Sequence, residues 1–146
     1  MAIEIQVAQP LKAERVLLSG DAHGEVLRLD RAISFWGGID PATGRITDPR
    51  HPQHNCIVCG KILAMERVIG SSSGSSVMME LLAVGKAPAG LILTEVDAIL
   101  TLGVIVSREM GYGSMPVYIV SEETLQQLPD HISMSGEGNI YPVPDH

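Results

Sequence analysis

The segment Gly70-Ser71-Ser72-Ser73-Gly74-Ser75-Ser76 stands between an apolar run and a stretch with helical periodicity. A helix that starts there presents unpaired N–H groups and the positive end of its dipole. Glycines let a ligand approach the backbone closely, and the serine hydroxyls add donors. Together they suit a carboxylate or a phosphate. The segment lacks the Lys-Ser/Thr ending of a P-loop. An ordinary capped turn would use the same residues; a flexible linker fits less well, because strand and helix patterns flank the segment directly. A serine here could also act as base or nucleophile, provided a cation or base lies beside it.

Two other stretches carry reactive or ligating side chains. His51-Pro52-Gln53-His54-Asn55-Cys56-Ile57-Val58-Cys59 holds four soft donors, and such sets can bind zinc. If Cys56–Met65 is a strand, however, Cys56 and Cys59 point to opposite faces, since their offset is odd. Reduced thiols and a loop histidine are the simpler expectation. Trp36-Gly37-Gly38-Ile39-Asp40-Pro41-Ala42-Thr43-Gly44 combines paired glycines with a tight-turn signature. It reads as a shaped loop packed near the serine segment or as a direct contact. Asp48 and His51 in the same loop are polar groups that could face a cleft, though alone such residues are more often solvated.

The elements that must position these residues follow from pattern. Val16–Ser19 and Glu25–Leu29 read as short strands separated by Gly20, Asp21 and Gly24, a hairpin-like arrangement. Ala32–Trp36 reads as another strand, and Gly37–Pro52 as loop. In the second half the rhythm changes. Apolar residues at 77, 78, 81, 82 and 84 predict a helix over 75–84, stopped by Gly85 with Pro88 beyond. Ala89–Thr94 is a buried strand. Asp97 caps a helix running to about Met110, and Gly111 ends it. Met115–Val120 is the next strand, and Ser121 caps a short helix, Glu122–Leu128, with acidic residues in its first turn. Strands alternating with helices imply parallel crossovers. The expected fold is α/β: a β-rich N-terminal layer on an α/β half, with a mixed, partly curled sheet and helices packed on one side.

The chain has 146 residues, 45% hydrophobic and 18% charged, with a net charge of −7. That length suits a single domain, residues 1–146, with a core of its own. The acidic balance and the absence of a Lys/Arg block argue against nucleic acid or an anionic membrane as partner. Aromatics at 3% give no base-stacking platform. Two cysteines exclude a disulfide-rich scaffold. Met1–Lys12 has no basic stretch followed by an apolar core, and Lys86, Glu95 and Asp97 interrupt the most apolar region, Leu81–Val106. No signal peptide or membrane span is expected, and a cytoplasmic protein is the default.

Several spaced blocks resemble a known family. Ser34–Pro41, Thr43-Gly44, Ile46-Thr47-Asp48 and His51-Pro52 form the first; Gly60-Lys61-Ile62-Leu63 with Gly70–Ser76 the second; Ala87-Pro88-Ala89 the third. In this order, over roughly residues 20–120, they resemble the swivelling domain of aconitase X as it occurs in a separate small subunit. The resemblance implies a compact swivelling β/β/α domain with a partly barrel-like sheet. It implies a hydro-lyase that removes water from a small hydroxy acid, either cis-3-hydroxy-L-proline or phosphomevalonate. A large catalytic subunit would hold the iron–sulfur cluster or iron, and this chain, inactive alone, would hold no metal. It further implies that Ser71 is the proton acceptor and that Gly70, Ser72, Ser73 and Gly74 bind substrate. The Ser-Ser-Ser-Gly-Ser-Ser form looks closer to the hydroxyproline type. One departure is that Val68-Ile69-Gly70 stands where the family usually has a basic residue and glycine. Arg67, further upstream, or the large subunit is left to supply that charge. A non-catalytic anion-binding module is the alternative to the enzymatic expectation, and a small zinc protein using His51, His54, Cys56 and Cys59 a third.

Overall fold

The computed structural model describes residues 10–70 and 72–144. Eight strands form one mixed sheet: β1 (Leu11–Lys12), β2 (Arg15–Leu18), β3 (Ala22–Arg28), β4 (Ile62–Ala64), β5 (Gly90–Leu93), β6 (Val117–Ile119), β7 (His131–Met134) and β8 (Asn139–Pro142). Their order is β1-β8-β7-β3-β4-β5-β6-β2. The β3–β4, β4–β5 and β5–β6 pairs are parallel, and the flanking pairs are antiparallel.

This order curls the sheet. β1 and β2 lie at its two ends, yet only Ala13 and Glu14 separate them. A link that short reaches roughly 10 Å at ~3.3–3.6 Å per residue, so the two edges must meet. The link is bonded to both sides, Ala13 N–H to the Gly138 carbonyl at 2.9 Å and Glu14 N–H to the Ile119 carbonyl at 2.8 Å. The result is the barrel-like sheet expected from the sequence.

Successive side chains of a strand point to opposite faces, and both faces of β4, β5 and β6 are buried. Leu63, Leu91, Leu93, Val117 and Ile119 face the core under the helices α2 (Gly74–Ala83) and α3 (Ala98–Glu109). Val77, Met78 and Leu81 of α2 and Leu100 and Val104 of α3 complete that core. Ile62, Ala64, Ile92 and Tyr118 point the other way, into the barrel, where Ile132, Met134 and Ile140 meet them. Burying each Leu or Ile contributes about 1.5–3 kcal/mol, so both cores are needed. The interior is tight at Gly90, where a Cβ would come within 2.7 Å of Met134 Sδ.

The expected caps form. Asp97 accepts from Leu100 N–H at 2.8 Å to start α3, and Ser121 accepts from Thr124 N–H at 3.0 Å to start α4 (Glu122–Gln127).

Three expectations change. The first two strands do not form a hairpin: β2 pairs with β6 and β3 with β7 and β4, so there is no separate N-terminal layer. The Gly20–Asp21 turn instead carries the chain from one edge of the sheet to its middle. Ala32–Trp36 is not a strand. Ile33 makes one parallel bridge to Val68, and Phe35–Gly38 forms an irregular turn, α1, with Gly37 at φ +80°. The strand expected over Cys56–Met65 shortens to Ile62–Ala64, because Gly60 at φ +73° turns the chain before it. The pairing of β7 with β8 and of β1 with β8 lies outside what the sequence patterns indicated.

Candidate functional site

The serine segment follows β4 and opens α2, so it sits beyond the carboxyl ends of the parallel strands, where open α/β sheets bind ligands. Its approach is fixed by backbone bonds: Ile33 bridges Val68, and Ile69 N–H donates to the Ile33 carbonyl at 2.9 Å. Gly70 is exposed, and a Cβ there would meet nothing within 4 Å. Packing within the chain therefore gives no reason for a glycine, whereas close approach of an outside group would. Ser72 is exposed, Ser73 is half-buried and Gly74 is buried, with a Cβ at Gly74 falling 3.9 Å from Phe35 Cβ. Ser71 lies outside the described residues.

The start of α2 differs from those of α3 and α4. Ser73 holds its N-cap position in a helical conformation (φ −83°, ψ −10°) and makes no side-chain cap bond. Ser75 Oγ donates instead to the Ser72 carbonyl at 3.3 Å. The position of α2 is set by α3, since a Cβ on Gly103 would fall 2.9 Å from the Ser75 carbonyl oxygen. That close approach anchors the segment on the helical core.

The Trp36 block is the shaped loop its glycines suggested. Asp40 accepts from Ala42 N–H at 2.9 Å through Oδ1, and its carbonyl accepts from Gly44 N–H at 2.8 Å. With Ser76, Val77 and Glu80 of α2, Trp36 and Pro41 border an open groove of about 500 Å³, and Trp36 is 61% exposed. The block thus packs beside the serine segment.

On the other side of that segment lies a cavity of about 570 Å³, formed by the residues that follow β3 and β4. Arg28, Asp30, Arg31, Glu66, Arg67 and Ile69 are among its walls. Arg28 Nη1 donates to the carbonyls of Leu125 and Gln126 at 2.9 and 3.3 Å, which ties the end of β3 to α4. Gln53 holds Asp30, its Nε2 donating to Oδ2 at 2.6 Å and its Oε1 accepting from Asp30 N–H at 3.1 Å. Arg28 and Arg31 are not among the residues singled out above; their signal in the sequence is a pair of arginines and an aspartate at the carboxyl end of a strand.

His51 is not solvated as expected. It is 4% exposed, with Nδ1 accepting from Gln53 N–H at 3.0 Å and Nε2 2.8 Å from the Arg31 carbonyl. The bond at Nδ1 requires the neutral tautomer with its proton on Nε2. With both ring nitrogens engaged, His51 braces the loop behind Arg31. Cys59 Sγ donates to the Gly85 carbonyl at 3.5 Å. Among the described residues no three or more His, Cys, Asp and Glu side chains gather as a metal site, so the zinc set His51, His54, Cys56 and Cys59 is not assembled. The donor chemistry on these residues does not fit an iron–sulfur cluster either, since His51 is fully engaged and the chain has two cysteines.

The model of the aconitase X swivel domain matches residues 11–140. The chain belongs to the aconitase X swivel-domain family. Its swivel fold superposes on the crystal structure of Thermococcus kodakaraensis aconitase X with a TM-score of 0.80 at 30% identity, covering 92% of this chain and 98% of that one. It is 42% identical over 108 residues to a cis-3-hydroxy-L-proline dehydratase of Pseudomonas aeruginosa, a match over 74% of this chain and 19% of that protein. It is 34% identical over 129 residues to the phosphomevalonate dehydratase small subunit of Methanothermobacter thermautotrophicus, over 86% of this chain and 95% of that one. This swivel-domain chain thus spans about a fifth of the hydroxyproline dehydratase it matches and nearly all of the small subunit. Among the described residues no helix is long and apolar enough to cross a membrane.

Proposed function

We propose that this chain is the small subunit of an aconitase X-type hydro-lyase that dehydrates a small hydroxy acid, with cis-3-hydroxy-L-proline as its substrate. The reading rests on the Gly70–Ser76 segment: a serine-rich helix start at the carboxyl edge of the sheet, with Ser72 and Ser76 exposed, beside a glycine that no internal contact requires. Ser71 is the proton acceptor in this reading, and Gly70, Ser72, Ser73 and Gly74 hold the substrate. Ser71 takes the proton α to the carboxylate, the C–H electron pair becomes the new C=C bond, and hydroxide leaves the β carbon. The proton and the hydroxide account for the water released.

The iron centre belongs to a large partner subunit in this reading. The chain then works in the cytoplasm as a heteromer with that large subunit, as the name of the phosphomevalonate dehydratase small subunit it resembles suggests. The higher identity, 42% against 34%, favours hydroxyproline. Phosphomevalonate is the second reading, favoured by the match over 95% of a protein that is itself a small subunit.

The test is to co-express the chain with the large aconitase X-like subunit of its own genome and assay both substrates without oxygen. Turnover by the pair and by neither subunit alone is expected. In the pair, Ser71→Ala should lower kcat by roughly 10²–10⁴-fold, the usual span for a lost general base. Full turnover in Ser71→Ala would remove the assigned role. A stable pair that turns over neither acid would leave a non-catalytic anion-binding module.

A further inference from the structure

We propose that the cavity at the carboxyl ends of β3 and β4 is an oxyanion site in which Arg67 grips the ligand and Arg31 adds a second charge. The inference deepens the reading above and rests on it for the identity of the ligand, the carboxylate or phosphate of the hydroxy acid.

The charge in this cavity is available. Arg28, Arg31 and Arg67 line it, against two carboxylates, Asp30 and Glu66. None of the three arginines forms an ion pair there; the ion pair among the described residues is Glu25–Lys61, elsewhere in the sheet. Arg28 donates to the Leu125 and Gln126 carbonyls and Arg31 Nη1 to the Arg50 carbonyl at 3.4 Å. These neutral acceptors fix the guanidinium groups without cancelling their charge. No described residue accepts a hydrogen bond from the Arg67 side chain, so its donor fork can close on two oxygens of one carboxylate or phosphate.

The surroundings make the site selective. Arg67 also borders a neighbouring cavity of about 470 Å³, whose walls include Glu14, Glu66, Glu95 and Glu122. That side repels anions, so an oxyanion reaching Arg67 is directed to the Arg31 side. Ile69 lines the basic cavity and leads directly to exposed Gly70, which places the charge beside the serine segment. A volume of about 570 Å³ suits a small metabolite. In a chain of net charge −7, this is a local positive site against the overall field.

The experiment is NMR titration of the full, isotopically labelled chain with two probes, cis-3-hydroxy-L-proline and inorganic phosphate. Saturable shifts are expected at the Ile69 and Gly70 amides and at Arg67 Nε–H. Arg67→Ala should weaken binding at least tenfold, and Arg67→Lys should restore only part of it, because an ammonium lacks the planar fork. Arg67 is exposed, and unchanged amide positions elsewhere will show that each variant folds. Saturation by the hydroxy amino acid identifies a carboxylate site; saturation by phosphate alone identifies a phosphate site. Equal affinity in Arg67→Ala, shifts confined to Glu95 and Ser121, or no saturable shift with either probe would overturn the proposal. Because the readout is binding, a failure of the dehydratase reading would leave it standing, and turnover without this binding would remove it alone.

Discussion

Leu91 and Ile92 are neighbours in β5, both fully buried, and they face opposite ways. Leu91 packs under α2 and α3; Ile92 points into the barrel towards β7 and β8. The first environment ends at the serine segment, because α2 begins there and α3 sets its position through Gly103. The second closes the sheet and holds none of the serine segment, although Ala64 and Leu125 of it also line the basic cavity. Equal burial therefore does not mean equal influence on function. One face supports the site and the other holds the scaffold shut.

Truncating each residue separates the two. Leu91→Ala and Ile92→Ala should each cost about 2–5 kcal/mol, the range for a buried large-to-small change, read as a lower urea midpoint. The location of the damage should differ. In Leu91→Ala, hydrogen exchange should accelerate in α2 and α3; in Ile92→Ala it should accelerate in β7 and β8 while α2 keeps its protection. Faster exchange of α2 in both variants would mean that the two cores act as one cooperative unit, and the distinction would fail.

The helical face was also the more legible in sequence. Its signals are local: the spacing of Val77, Met78, Leu81 and Leu82, the cap Asp97, and the short apolar run that became β5. The barrel face depends on pairings between distant segments, such as Leu11 with Ile140 and Ala22 with Met134, which no local pattern announces. The hairpin expected over 16–29 was plausible locally, but the sheet order separates β2 from β3. The serine segment stood out by composition alone, whereas its basic neighbour did not. Arg28, Arg31 and Arg67 converge only because β3 and β4 run parallel in register, with Arg28 opposite Ala64. His51, read as a solvated loop residue, is buried because Arg31 and Gln53 offer partners for both ring nitrogens.

Gly103→Ala tests the link between the helical face and the site. The added Cβ would lie 2.9 Å from the Ser75 carbonyl oxygen and 3.1 Å from Ser75 Cα, both backbone atoms, so the helices must move apart. Overpacking of this kind costs about 1–3 kcal/mol, and the gain in helix propensity returns about 1 kcal/mol. A net loss of roughly 0–2 kcal/mol is expected, below that of either β5 truncation. The site should register the change more than stability does: the Gly74, Ser75 and Ser76 amides should shift, and turnover of the assembled pair should fall at least tenfold. Wild-type turnover with displaced amides would show that the exact setting of α2 does not govern the chemistry.

The smallest effect belongs to the barrel interior and appears only in alkali. Burial raises the pKa of Tyr118 above its ordinary value of 10.0, and the Asp21 carboxylate pushes the same way. The Gly138 backbone partly opposes the shift, although it is not aligned as a full hydrogen bond to the hydroxyl. In the unfolded chain the phenol ionises at its ordinary value, so a folded state that resists ionisation loses stability as the pH climbs above about 10. Below that pH the phenol is neutral in both states and its full contribution is present. When tyrosinate absorbance is followed against pH, Tyr118 should appear as a late step, above its ordinary range. Tyr118→Phe removes both the late step and that share of the alkaline loss, so its melting temperature should fall less steeply from pH 9 to 11. Because the interior is separate from the serine segment, the same variant should leave turnover at neutral pH unchanged. Identical alkaline slopes for the two proteins would mean that Tyr118 is reached by water when folded, and that the barrel face is less closed than its packing indicates.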